Sequence, residues 1–96
     1  MGKTVTIPSH PLDRDDCVND GEILTLKFVE AGDLETSGDK GGFNLPLDSC
    51  HVPNPGTKQY TAVTVGAKVH WQFLEAGKVV DKGKITIRHN DPACRD

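Results

Sequence analysis

The sequence contains few aromatic residues and no long apolar run. Aromatic residues make up 5% and apolar residues 35% of the 96 positions, which is below the usual apolar share of a globular domain and predicts a thin core under a polar surface. A large buried cofactor does not fit such a core, and we predict that the protein binds no cofactor. Apolar runs are no longer than three residues, whereas a membrane span needs about 20. We therefore expect no membrane partner.

An excess of positive charge is also missing. Eleven Lys and Arg residues stand against fourteen Asp and Glu residues, which gives a net charge of −3 and an isoelectric point near 5.7. Without a net positive field, we expect no nucleic-acid partner. The N-terminal segment MGKTVTIPSHP turns polar before an apolar stretch develops, so no secretory signal is visible. Cytoplasmic retention, export by another route and a mature exported form all fit this segment.

Three cysteines, Cys17, Cys50 and Cys94, give an odd count. One disulfide with a free thiol and three reduced thiols are both compatible with this count, and the sequence does not choose between the pairings. If a bridge forms, Cys94 is well placed to take part, because it lies in a polar tail, residues 90–96, that has little else to hold it. The missing export signal favours reduced thiols.

Apolar and polar residues alternate along most of the chain, which is the pattern of half-buried β-strands. The clearest case is segment 67–75, where polar residues separate Val69, Trp71 and Phe73. The same alternation predicts strands at residues 24–28, 43–47 and 84–88, with shorter ones at 5–7 and 63–65. Ten glycines and six prolines are spread so that no window shows helical spacing. We predict an all-β domain.

The sequence also resembles itself when it is shifted by 45 residues. Segment 28–32, FVEAG, then falls on segment 73–77, FLEAG, and two further glycine pairs are aligned. Recurring glycines mark backbone positions with special dihedral angles. We predict a single domain, residues 1–96, with repeat 1 at about 3–47, repeat 2 at about 48–89 and the polar tail after them. The two repeats would pack against each other about a pseudo-twofold axis and bury their apolar faces, in a small antiparallel β-barrel or β-sandwich.

Residues 21–38 and 66–83 each resemble half of a biotinyl/lipoyl carrier domain, through the spacing of their glycines. The resemblance implies a pseudo-twofold β structure that presents a modified lysine at a hairpin between the halves. The corresponding segment here, residues 42–56, contains no lysine. We therefore expect no carrier function.

Acidic and amide side chains crowd into the segment between the first two predicted strands. The candidate binding residues of this predicted loop, which runs from Ser9 to Gly21, are Asp13, Asp15, Asp16, Asn19 and Asp20. Loops that differ between two copies of a scaffold are common sites of binding. The spacing does not fit an EF-hand calcium loop, because Val18 and Lys27 fall on ligand positions. We interpret the segment as a solvated acidic loop that docks to a basic partner.

A second candidate surface lies on the outer face of the predicted sheet. Alternation directs Trp71 into the core and its neighbour His70 to the opposite face, together with Lys68. Arg88 continues this face if the last two strands form a hairpin. We predict that Lys68, His70 and Arg88 contribute to binding.

Neither a metal site nor a catalytic site is predicted. Cys50 and His51 are adjacent on a predicted strand, so their side chains point to opposite faces and cannot share one zinc ion. No serine lies in a Gly-x-Ser-x-Gly elbow, and no cysteine lies in a known nucleophile signature. Glu30 and Glu75 occupy equivalent positions in the two repeats and are expected at separate hairpin tips instead of one cleft. We predict that the protein is not an enzyme.

The main functional hypothesis is a recognition module that binds a protein or a glycan through the acidic loop and the sheet face. One alternative is an inhibitor or immunity-type protein whose acidic loop blocks a basic active site. Another is a structural subunit of a phage or secretion assembly, in which edge strands pair between copies and the chain forms a homo-oligomer.

Overall fold

The computed structural model describes residues 2–9 and 13–96, which form eight β-strands and two short 3₁₀ turns. The strands are β1 (Gly2–Ile7), β2 (Arg14–Asn19), β3 (Ile23–Phe28), β4 (Gly32–Gly38), β5 (Cys50–Val52), β6 (Gly56–Thr61), β7 (Lys68–Glu75) and β8 (Lys78–Arg88). The 3₁₀ turns are Lys40–Gly42 and Pro92–Cys94. No α-helix occurs in these described ranges, and hence none with the length and apolar character of a membrane span. The all-β prediction is confirmed.

The strands form two sheets, one of order β1-β3-β6 and one of order β2-β8-β7-β4-β5. Both sheets are mixed, because β1 pairs with β3 and β2 pairs with β8 in parallel. The prediction of an antiparallel sheet is therefore wrong. The chain changes sheet between most consecutive strands, so these strands are not paired in hairpins. Their relative direction is therefore not restricted to antiparallel. No pairing among the described strands joins the two sheets into a closed barrel.

One apolar core lies between the sheets. Phe28 of one sheet and Phe73 of the other meet there with ring centroids 5.7 Å apart. On β7 the predicted alternation is observed, since Val69, Trp71 and Phe73 are buried, whereas the polar residues Lys68, His70 and Gln72 are exposed or half-buried. The other large, fully buried side chains of the core are Val5, Ile7, Val18, Leu24, Leu26, Leu34, Leu47, Ile85 and Ile87.

The segment expected to be an acidic loop instead contains a strand, β2, which pairs with β8 along six residues. Residues 10–12 of the expected loop lie outside the described residues. The strand is hidden in the sequence because only Val18 among its six residues is aliphatic. Backbone pairing with β8 and the burial of Val18 hold the strand in place, although its composition is that of a loop.

Two other predicted strands are absent. Segment 43–47 makes only an isolated bridge between Phe43 and Ala62, and the ring of Pro46 has no backbone N–H to give to a ladder. Phe43 and Leu47 are buried, whereas Leu45 is 59% exposed. The alternation of residue types in this segment therefore reflects local packing and does not indicate a strand of a sheet. Segment 63–65 lies in the connection between β6 and β7, and both of its valines are more than half exposed.

The duplication predicted from the 45-residue shift is not confirmed. Gly21 and Gly66, which the shift aligns, both have positive φ angles just before β3 and β7. The strands that follow pair differently, however. β7 and β8 form a hairpin through Ala76 and Gly77, whereas β3 and β4 belong to different sheets. The pseudo-twofold structure implied by the carrier-domain resemblance has no support in these pairings.

Cys17 and Cys94 form a disulfide, and Cys50 is free. The expectation of three reduced thiols is not met in this structure. The bridge fastens the 3₁₀ turn at Pro92–Cys94 over the outer face of β2, and Arg95 adds a contact of 2.9 Å from its Nε to Glu22. The pKa of Glu22 is lowered because its carboxylate accepts this hydrogen bond. The polar tail is thus packed against the domain, with Cys94 completely buried.

The two ends of the described chain meet at one edge of the smaller sheet. The backbone N–H of Asp96 donates to the carbonyl of Gly2 at 3.1 Å, and the N–H of Thr4 donates to the Asp96 carboxylate at 2.7 Å. Asp96 therefore occupies hydrogen-bonding groups on the outer edge of β1, as a neighbouring strand would.

Candidate functional site

The pleat of β2 divides the predicted acidic residues between two surfaces. Asp15 and Asn19 lie opposite Lys84 and Arg88 of β8 and share the outer face of the larger sheet with them. Asp16 lies opposite the buried Ile85 and points to the inner side. A single acidic surface is therefore not formed within β2, because successive side chains of a strand alternate between faces.

Two of these carboxylates have different surroundings. The Asp15 carboxylate is 78% exposed and lies 3.9 Å from the ammonium group of Lys84. Asp16 is half-buried, and burial raises its pKa, an effect that the nearby Arg14 opposes. One Asp16 carboxylate oxygen is buried without a hydrogen-bond partner. Asp16 is consequently a poor contact for a basic protein.

The remaining predicted residues of the segment lie at its two ends. Asp13 is exposed at the start of β2, with a φ angle of 62°. Asn19 is buried at the other end, where its side chain donates to the Asp91 carbonyl at 2.9 Å and accepts from the Asp91 N–H at 2.8 Å. Asp20 Oδ1 lies 2.8 Å from the Nδ1 atom of His89. Asn19 and Asp20 thus hold the segment that follows β8, and they do not project as a loop.

No group of three or more potential metal ligands occurs in residues 2–9 and 13–96. His51 and His89 each face one carboxylate, with His51 Nδ1 lying 2.7 Å from Asp33 Oδ1. Such exposed pairs of one imidazole and one carboxylate have no further ligand beside them that would complete a metal site.

The outer face of the larger sheet brings together the other predicted residues. Lys68 and His70 lie on the same face of β7, two residues apart, and Arg88 lies at the end of the adjacent β8. All three residues are exposed. Lys82 and Lys84, which lie beside Gln72 and His70 on this face, were not predicted from the sequence as binding residues. The alternation of Lys84 and Arg88 with the buried Ile85 and Ile87 is the signal that could have found Lys84, and Lys82 occupies the same face because it lies two residues before Lys84 on the strand.

Carboxylates border this face on both sides. On β2, Asp15 lies next to Lys84. On β4, Glu35 lies opposite Gln72 and accepts a hydrogen bond of 2.6 Å from its amide. A shallow groove of about 480 Å³ lies beside His70 and Lys82, and Asp13 and Glu35 also line it.

One end of the molecule collects three short connections, which we call the turn end: residues 29–31, 53–55 and 76–77. All their residues are exposed. Glu30 lies close enough to Glu75 here that its carboxyl raises the pKa of Glu75. The expectation that these two glutamates lie at separate tips is wrong, because the crossing from β3 to β4 brings residue 30 beside the β7–β8 hairpin.

A buried ion pair lies close to the turn end. The Asp81 carboxylate is completely buried, and it accepts hydrogen bonds from Arg14 Nη2 at 3.1 Å, from the Ser9 N–H at 2.9 Å and from the Lys82 N–H at 2.9 Å. Arg14 also donates to the Thr6 carbonyl and lies over the Trp71 ring, 5.7 Å from its centroid. These contacts tie β1, β2 and β8 together.

The arrangement of two mixed sheets around one core is similar to that of a solved protein structure. One solved structure with this likeness is the cysteine protease inhibitor EhICP2 from Entamoeba histolytica, with a TM-score of 0.54, 15% sequence identity, and coverage of 90% of this chain and 94% of that chain. At this identity the likeness establishes the fold alone. No family model matches the sequence, and no curated protein matches it.

Proposed function

We propose that this protein is a non-enzymatic inhibitor of a peptidase of the cysteine class. The observation that carries the proposal is its likeness to a cysteine protease inhibitor, which extends over nearly the whole of both chains. A fold can host many functions, so the proposal also needs a surface that suits a peptidase cleft.

The acidic segment does not suit that role. Asp15 and Asp16 belong to a strand within the larger sheet, and Asn19 is buried. A plug needs a projecting element whose side chains are free to enter a cleft. We therefore place the contact with the peptidase elsewhere.

The turn end is the surface that we propose for this contact. Its three connections contain two or three residues each, so they are short and have little freedom to move. Pro53 and Pro55 fix two φ angles in the middle connection. A rigid tip of this kind enters a cleft at low entropic cost and adapts poorly to the geometry that peptide cleavage requires.

Titration of the purified protein against several cysteine peptidases tests the proposal, with hydrolysis of a fluorogenic peptide as the readout. We expect inhibition that the double substitution Ala31→Arg and Asn54→Arg at the turn end weakens by about tenfold or more. The matched control carries Leu45→Arg and Val65→Arg, two exposed positions at the opposite end. Thermal unfolding of each variant confirms that it is folded.

Salt distinguishes this surface from an acidic plug. Inhibition through the turn end should change little between low and moderate ionic strength, whereas an acidic plug would lose affinity as salt screens its charges. Absence of inhibition of every peptidase in the panel, or rapid cleavage of the protein as a substrate, would contradict the proposal.

A further inference from the structure

Four permanently charged cations lie together on the outer face of the larger sheet. They belong to the hairpin strands β7 and β8, and His70 lies among them. We call this surface the basic track and define it by Lys68, His70, Lys82, Lys84 and Arg88. The protein has a net charge of −3, so the cluster of cationic side chains in the track is opposite in sign to the charge of the whole chain.

The charges of the track are only partly compensated. Lys84 lies 3.9 Å from Asp15, and Arg88 lies 3.8 Å from Asp91. Within residues 2–9 and 13–96, the ammonium groups of Lys68 and Lys82 form no ion pair within 4 Å, although the Asp39 carboxylate accepts a hydrogen bond of 3.0 Å from the backbone N–H of Lys68. Exposed ammonium groups without a nearby anion are available to a partner of opposite charge.

The spacing of the track follows from the strands that carry it. Lys82 and Lys84 are separated by two residues of β8, which corresponds to about 6.8 Å. His70 lies directly opposite Lys84 on β7, and Lys68 lies opposite Thr86, at a lateral distance of about 5 Å. An extended peptide repeats its side chains on one face at the same interval of about 6.8 Å, so acidic residues at every second position would match the track.

The borders limit the width of the partner. Asp15 on one side and Glu35 on the other confine the positive surface to two strands. A broad polyanion would place its outer charges against these carboxylates, whereas a single extended chain avoids them. The groove beside His70 and Lys82, which Asp13 and Glu35 also line, gives such a chain room to place its carboxylates on the Lys82 side.

We propose that the basic track binds an extended acidic peptide segment in which every second residue is Asp or Glu. The segment lies along β8 with its carboxylates toward Lys82 and Lys84, and with Lys68 and Arg88 extending the contact toward the other end of the hairpin strands. This binding is separate from the proposed peptidase contact, because the turn end is a different surface.

Fluorescence anisotropy with two labelled peptides of identical composition tests the proposal. One peptide, about ten residues long, alternates Glu and Thr, and the other has all its Glu residues in one block followed by all its Thr residues. We expect the alternating peptide to bind at low salt, to bind several-fold more tightly than the block peptide, and to lose affinity at 150 mM salt or so because its ion pairs are exposed.

Two triple variants with the same change in net charge locate the binding. Lys68→Gln, Lys82→Gln and Lys84→Gln should weaken the alternating peptide by about tenfold or more. Lys27→Gln, Lys40→Gln and Lys58→Gln, which lie off the track, should leave binding within about twofold.

Equal weakening by both variants, or equal binding of the two peptides, would overturn the proposal, as would tighter binding of a single-stranded nucleic acid than of either peptide. Retained peptidase inhibition by the track variant would show that the two surfaces act separately.

Discussion

The two faces of β2 carry charged residues that are neighbours in the chain, but one of them forms a buried ion pair and the other an exposed ion pair. Arg14, on the inner face, is paired with an Asp81 carboxylate that has no exposed surface. Asp15, on the outer face, is 78% exposed and lies 3.9 Å from Lys84. Both pairs connect the same two strands, β2 and β8.

The difference teaches that the face of the strand on which a charged side chain lies decides whether it contributes to stability or to recognition. The density of charged residues along the sequence does not decide this. A buried pair is already removed from water, so the loss of one partner leaves the other uncompensated. An exposed pair keeps its hydration, and its loss is nearly neutral. Stability is therefore expected to depend on the inner pair and recognition on the outer charges.

The largest expected effect is that of Asp81→Asn. The substitution keeps the shape of the side chain but removes the charge that three donors share, so Arg14 remains in place without its partner. We expect the free energy of unfolding to fall by about 3–5 kcal/mol. Urea denaturation monitored by the fluorescence of Trp71, which packs beside Arg14, measures the change. A loss below about 1 kcal/mol would mean that the inner pair is no more important than the outer one.

The next effect concerns the covalent link on the outer face of β2. Cys17 and Cys94 are separated by 77 residues in sequence, so their bridge restricts a long loop of the unfolded chain. Reduction, or the double substitution Cys17→Ser and Cys94→Ser, should cost about 2–4 kcal/mol. Cys50→Ser serves as the control, because this thiol is free. An unchanged denaturation midpoint after complete reduction would show that the tail contacts of Asn19 and Arg95 are sufficient alone.

The smallest effects come from two adjacent carboxylates on opposite faces. The folded-state pKa of Asp16 is raised, so the unfolded chain ionises first, and the free energy of unfolding decreases as the pH rises between the unfolded and folded pKa values. Asp16→Asn should therefore increase stability at neutral pH and change nothing at acidic pH. Asp15→Asn should change stability by less than about 1 kcal/mol at either pH. Denaturation at pH 3 and pH 7 compares the two variants, and a loss of stability in Asp16→Asn at pH 7 would reverse the assignment of burial as the dominant cause.

Strands with an apolar face were predictable from the sequence, and strands without one were not. The regular alternation around Trp71 gave the position of β7 and the outward direction of His70. β2 was missed because five of its six residues are polar or cysteine, and its pairing with β8 depends on contacts across the chain. Segment 43–47 alternates equally well, but it does not form a ladder.

The binding surfaces show the same limit. Lys68 and His70 could be assigned to one face from periodicity alone, because a strand has only two faces, and the hairpin predicted from the last two strands added Arg88. The acidic residues could not be assigned, since no apolar pattern in that segment indicates which side each one occupies. The meeting of Glu30 with Glu75 depends on how β3 crosses to the other sheet, and local sequence does not encode that crossing.

The contact between Asp96 and Gly2 has a practical consequence for engineering. Residues so close in space can both be joined to a host protein through short linkers within a single surface loop. Because this contact lies at the opposite end of β1 from Ile7, fused partners would extend away from residues 53–55 and leave that tip free to meet a cleft.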